Sequence, residues 1–109
     1  MIIKLKKGVS VKGIKPEMAI AVPIIAGVWE QFGVGELVIT SACDGKHSEG
    51  SLHYRGYAFD LRIWSFKKDE LESVKEALCM ALNGVPDNSS GDWDVCLEKT
   101  HIHLEFDPS

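Results

Sequence analysis

Basic charge is in short supply. Twelve lysines and arginines stand against sixteen acidic residues, for a formal net charge of −4. Generic nucleic-acid binding needs a basic surface to displace counterions, so this balance argues against it, although a locally basic cleft stays open. Cysteine is also sparse. Cys43, Cys79 and Cys96 are odd in number and widely spaced, which excludes a zinc knuckle, a paired redox motif or a dense disulfide framework. They read as reduced thiols, with a single disulfide as the alternative, and Cys79 falls on an apolar helical stripe. Long apolar runs are missing too. Residues 18–28 are too few to span a bilayer, and Lys4, Lys6 and Lys7 interrupt the apolar start of the chain, so neither a membrane span nor a secretory signal is read.

What is present is an ordinary globular mixture, 45% apolar and 26% charged over 109 residues, enough for one domain with its own core. No repeat, low-complexity tract or linker divides it, so residues 1–109 are expected to form a single domain. Residues 1–15 read as an extended arm broken at Gly13. Pro16 suits a first helical turn, after which Met18, Val22, Ile25 and Trp29 recur at helical spacing; Pro23 predicts a kink or a second start, and Gly33 and Gly35 an end. Residues 36–41 read as a buried strand and 42–51 as a loop. In 57–63, Tyr57, Phe59, Leu61 and Ile63 alternate with Ala58, Asp60 and Arg62, the mark of a half-buried strand. Leu71, Val74, Leu78 and Leu82 predict a second helix closed by Asn83-Gly84. Two further strands follow: Trp93, Val95 and Leu97 alternate with Asp94, Cys96 and Glu98, and Ile102, Leu104 and Phe106 alternate with His101, His103 and Glu105. The fold class expected is α+β: a small antiparallel sheet with helices packed on one face.

The polar positions of these strands carry the chemistry. Asp60, Glu98, His101, His103 and Glu105 all oppose the apolar residues, and His53 precedes the first of the strands. A solvated sheet face normally carries Thr, Lys, Ser and Glu. Each of these residues alone reads more readily as a surface or hydrogen-bonded group than as a ligand, and Cys96 reads as a packed thiol as readily as a soft donor. Together they supply the nitrogen and oxygen donors that zinc prefers, with three protein ligands and an open position for water in a catalytic site. Water on such an ion ionises near pH ~7, and a carboxylate such as Glu98 can take its proton and pass it to a leaving amine.

The stretch Ser51-Leu52-His53-Tyr54-Arg55-Gly56-Tyr57-Ala58-Phe59-Asp60 matches S-x-H-x-x-G-x-A-x-D at every fixed position. It resembles the signature of the zinc D-alanyl-D-alanine carboxypeptidases and dipeptidases, including phage L-alanyl-D-glutamate endolysins, whose metal-binding fold the hedgehog signalling domain shares. His101-Ile102-His103 resembles the closing H-x-H of that superfamily, and the likeness spans residues 16–106. It implies His53, Asp60 and His103 as zinc ligands, Glu98 as general base, and His101 beside the metal, positioning substrate or stabilising an oxyanion. Ser51 and Arg55 become candidate substrate contacts. Glu98-Lys99-Thr100-His101 also fits an E-x-x-H form in which His101 is the ligand; the complete H-x-H favours His103.

One departure stands out. Val38-Ile39-Thr40-Ser41 resembles the strand that leads into the family's active-site loop; members commonly carry an arginine soon after it, to grip a substrate carboxylate or polarise the scissile carbonyl, and here Ala42-Cys43-Asp44-Gly45 occupies that place. Lys46, Arg55 and Arg62 are the substitutes at hand. The resemblance implies a Zn2+ metallopeptidase acting on peptidoglycan stem peptides through a zinc-bound water; the charge balance and the short apolar runs add the expectation of no nucleic-acid or membrane partner, and a monomer is expected. It would be cytoplasmic, or phage-encoded and acting on the cell wall. A zinc-binding structural or binding module of the same fold without efficient catalysis is the alternative, and the missing arginine leans that way.

Overall fold

The computed structural model describes residues 1–43 and 56–108. Within them the chain forms β1 (Ile2–Leu5), α1 (Pro16–Gln31), β2 (Glu36–Ser41), β3 (Ala58–Arg62), α2 (Leu71–Asn83), β4 (Trp93–Leu97) and β5 (His101–Phe106), with a 3-10 turn at Lys68–Glu70 leading into α2. The strands make one five-stranded sheet in the order β1-β2-β3-β5-β4.

That sheet is mixed, which corrects the expected all-antiparallel arrangement. β2, β3, β5 and β4 pair antiparallel, but β1 runs parallel to β2, with Ile2 opposite Glu36 and Leu5 opposite Ile39. The residues read as an arm are therefore an edge strand joined to β2 through α1, as parallel neighbours require a crossover. All four residues of β1 are exposed. What fixes the strand is backbone pairing, continued by Ile2 N–H to the Gly35 carbonyl and Lys6 N–H to the Ile39 carbonyl, both 2.9 Å. A Lys4–Glu36 ion pair at 3.2 Å adds to it.

The inward-facing residues of the central strands, Leu37, Ile39, Phe59, Leu61, Val95, Ile102 and Leu104, are buried in one core with Met18, Ile25 and Trp29 of α1 and Val74 and Leu78 of α2. Both helices thus cover one sheet face, as the alternation predicts. Helix α1 runs through Pro23 without a second start. Gly84, at φ +77°, closes α2 in the left-handed conformation that glycine adopts most cheaply. Cys79 is fully buried, and no disulfide joins the three cysteines.

The edge at β4 is closed by side chains. Asn88 donates to the Val95 carbonyl and accepts from the Val95 N–H, both at 2.9 Å. Asn83 does the same at Trp93, with bonds of 2.8 and 3.0 Å. Each amide stands in for a neighbouring strand and occupies backbone groups that would otherwise offer a template for pairing.

Candidate functional site

The sheet face away from the helices is built by the alternate residues of the same strands. Thr40, Asp60, Arg62, His101, His103, Glu105, Asp94 and Cys96 lie there, beside the buried Val38 and Ala58. Register decides which of them meet. Asp60 stands opposite His103 and Arg62 opposite His101 across β3 and β5, while Cys96 flanks His103 from β4. On the other side, Ile39 pairs with Leu61 and Ser41 with Asp60, so β2 carries one extra residue at Thr40. Such bulges re-aim side chains at the end of a ladder. Here the Thr40 hydroxyl donates to the Asp60 carbonyl at 3.3 Å, tying β2 to the strand that presents the carboxylate.

Asp60 is the centre of the cluster. Its Oδ1 accepts a hydrogen bond from His103 Nδ1 at 2.9 Å, and His101 Nε2 lies 3.6 Å from the same oxygen. The second His103 nitrogen, Nε2, is 3.8 Å from Glu105 Oε1. Hydrogen bonding to Asp60 raises the His103 pKa above its ordinary value; partial burial opposes this, and the negative charges of Asp60, Glu105 and Glu98 add to it. His101 is steadied from outside: Thr100 Oγ1 lies 3.1 Å from its Nδ1. With that hydroxyl as donor, the imidazole proton sits on Nε2, on the Asp60 side.

Glu98 falls one residue beyond β4, exposed, at the start of the turn to β5. Its N–H donates to the His101 carbonyl at 2.9 Å, which anchors its backbone beside the two histidines, and its charge reaches His103 and Cys96. Desolvation of the Cys96 sulfur, together with Glu98, Asp94 and Glu105, pushes the thiol pKa up. In the metal-free chain Cys96 is therefore held as the thiol at neutral pH.

Two donors bound at ~2.0–2.1 Å to a tetrahedral ion lie roughly 3.3 Å apart. The Asp60–His103 and Asp60–His101 separations of 2.9 and 3.6 Å fall on either side of that value, so small side-chain rotations open either pair to a shared cation. Glu105, 3.8 Å from the second ring nitrogen, acts on His103 through its charge. Among the described residues no three His, Cys, Asp or Glu side chains are gathered tightly enough to hold a metal between them. The remaining expected ligand, His53, and the candidate substrate contacts Ser51 and Arg55 lie outside the described residues, as does Lys46.

Beside the cluster is a pocket of about 130 Å3 lined by Lys6, Thr40, Arg62, Trp64, Thr100 and His101. Of these, Arg62 and His101 were singled out by sequence; Lys6, Thr40, Trp64 and Thr100 were not. A larger hollow of about 280 Å3 lies on the helical side, between α1, α2 and the Trp93–Phe106 pair. Its lining is apolar apart from Glu17, so it offers no group of reactive side chains. Among the described residues no helix is long and apolar enough to cross a membrane. Comparison with known proteins finds no family model that matches the chain and no curated protein that matches it.

Proposed function

We propose that the chain is a zinc-dependent peptidase acting on peptidoglycan stem peptides, of the D-alanyl-D-alanine carboxypeptidase or L-alanyl-D-glutamate endopeptidase type, with a hedgehog-like fold. One observation carries the reading. The aspartate that ends the S-x-H-x-x-G-x-A-x-D stretch has its Oδ1 within 2.9 Å of His103 and 3.6 Å of His101, although more than forty positions separate it from both in sequence.

In this reading Asp60, His103 and His53 hold the ion. Zinc, when bound, polarises a carbonyl and brings the ionisation of water toward neutrality. The protein's own residues do the rest. His103 must give up its Nδ1 proton to act as a ligand, and the charge of Glu105, 3.8 Å from Nε2, favours keeping the proton there. Glu98, exposed at the rim, takes a proton from the attacking water and delivers it to the leaving amine. His101, steadied by Thr100, offers its Nε2 proton to the oxygen that gains charge as the peptide carbonyl is attacked.

The absence of arginine from Ala42-Cys43-Asp44-Gly45 favours a second reading, a zinc-binding module of the same fold without efficient catalysis. Metal analysis and a muropeptide digest followed by mass spectrometry separate the possibilities. The peptidase reading expects about one zinc per chain, lost on chelation and in His53→Ala, and stem-peptide cleavage reduced by about 10²–10⁴ in Glu98→Gln with zinc retained. Zinc without cleavage of any stem peptide supports the binding module. A chain that takes up no zinc overturns both.

A further inference from the structure

We propose that the hollow of about 280 Å3 between α1, α2 and the Trp93–Phe106 pair is a binding site for a small organic cation, an ammonium group carried on an apolar body. The hollow lies on the helical side of the sheet, across from the Asp60 cluster, and the inference stands whether or not the chain is a peptidase.

The walls are the first argument. Ile20 and Ile24, one turn apart on α1, are 66% and 38% exposed. They lie outside the stripe of Met18, Val22, Ile25 and Trp29 that packs into the core. With Leu82 of α2 and the rings of Trp93 and Phe106 they border the hollow. Apolar walls around an open depression gain by withdrawing an apolar body, and themselves, from water. The volume falls just below the ~300–1,000 Å3 of drug-sized sites, which suits a single ring with a short chain rather than a helix or strand of another protein.

The aromatic floor is the second. Trp93 stands opposite Phe106 across β4 and β5, with ring centroids 4.9 Å apart. Tyr57 continues the row, 6.0 Å from Phe106. Aromatic faces are electron-rich and attract cations, that of tryptophan most strongly. One end of the row already holds a cation: Lys15 Nζ lies 5.8 Å from the centroid of the Tyr57 ring. At the other end, where Trp93 and Phe106 border the hollow, no basic side chain lines the wall among the described residues.

Charge is the third. Glu17, half-buried in the first turn of α1, is the one ionisable group of the lining among the described residues. A carboxylate there suits the helix dipole; on an otherwise apolar wall it also gives positive charge a fixed partner. Asp92 directly precedes Trp93 and Asp107 directly follows Phe106, and the Asp107 N–H donates to the Asp92 carbonyl at 2.7 Å. Two more acidic residues thus stand at this end of the sheet. An anion in the hollow would be repelled, and a neutral guest would desolvate Glu17 without compensation. A cation on an apolar body meets all three features.

The test is binding of 3-phenylpropylamine, 3-phenylpropan-1-ol and 3-phenylpropanoate to the purified full chain. The three probes share one apolar body and differ in charge. Tryptophan indole resonances report binding, and Trp93→Phe identifies the Trp93 signal. The amine is expected to shift that signal and to bind about tenfold more tightly than the alcohol, with the carboxylate weaker than either. Glu17→Gln should bring the amine down to the level of the alcohol and leave the alcohol unchanged. Ala81→Leu, at an exposed residue of the wall, should weaken both several-fold by filling the space. Equal binding of amine and alcohol, a preference that survives Glu17→Gln, or a shift confined to the Trp29 or Trp64 indole overturns the site. So does the absence of binding by the amine at millimolar concentration. Should Glu17→Gln lose its native circular dichroism, Ala81→Leu decides alone, and undiminished binding of the amine overturns the proposal.

Discussion

Replacing Gly56 with alanine tests how the signature glycine serves the fold. Gly56 has φ +79°, and a Cβ built there overlaps the Gly13 carbonyl oxygen and falls 3.1 Å from the Gly13 carbonyl carbon and 3.2 Å from Ile14 Cα. The neighbours are backbone, and they are held there: Lys15 N–H donates to the Gly56 carbonyl at 3.1 Å. Two costs combine. A left-handed backbone costs an L-residue about 1–2 kcal/mol, and forcing an atom into a packed place costs about 1–3 kcal/mol. The lower entropy of the unfolded alanine chain offsets about 0.4–1 kcal/mol, leaving a net loss of roughly 1–4.6 kcal/mol, centred on ~3 kcal/mol. Gly84 supplies the control, because its φ of +77° is nearly the same and nothing lies within 4 Å of its Cβ position; Gly84→Ala should lose only about 1 kcal/mol. Urea denaturation of both variants measures the difference directly, and thermal melts should separate them by several degrees. If Gly56→Ala is no more destabilised than Gly84→Ala, the close approach of residues 13–15 to the entrance of β3 is wrong, and with it the account of how that strand is placed.

Two other outcomes follow from the same geometry. His103 binds its proton more readily in the folded chain than its ordinary value of 6.5 allows, chiefly through Asp60. The stability it contributes to the metal-free protein is complete below that value and is lost as the pH rises through the raised one. Urea midpoints of the metal-free chain should therefore fall across this window, and Asp60→Asn should flatten the slope; an unchanged slope in the variant would assign the titration elsewhere. Asn88→Ala removes both hydrogen bonds to Val95 and should cost about 1–3 kcal/mol, with a gain in self-association by light scattering as the β4 edge opens. A variant as stable and monodisperse as the parent would show that water replaces the amide without loss.

Most of the fold was legible because most elements bury one side. The 3.6-residue recurrence in α1 and α2 and the two-residue alternation in β3, β4 and β5 are direct imprints of a single core. β1 left no imprint, since an edge strand exposed along its whole length is under no pressure to alternate, and the mixed character of the sheet went unread with it. Asn83 and Asn88 look like turn residues in sequence; that their amides substitute for a missing strand becomes apparent only once β4 is seen to be the edge. The polar face was legible as a collection of donors. Its division into an Asp60–His103 pair and an Arg62–His101 pair was not, because that depends on which residues of two distant strands stand opposite, and Lys6 arrives from a strand the pattern did not reveal.

The register that creates these pairs is set on the other side of the sheet. Sliding β5 by one residue along β3 would put His103 against a neighbour of Asp60 and turn His101, His103 and Glu105 toward the helices, while Ile102 and Leu104, both fully buried, turned to solvent. Each of those two side chains contributes about 1.5–3 kcal/mol by its burial, and desolvating the imidazoles and carboxylate would cost more. Together these rival the roughly 5–15 kcal/mol that holds a domain of this kind folded. The slipped sheet is thus excluded by the hydrophobic core before any ligand is considered. The Asp60–His103 contact needs no bound ion to bring it together, and if zinc is bound as proposed, its removal by a chelator should leave the pairing of β3 with β5 in place.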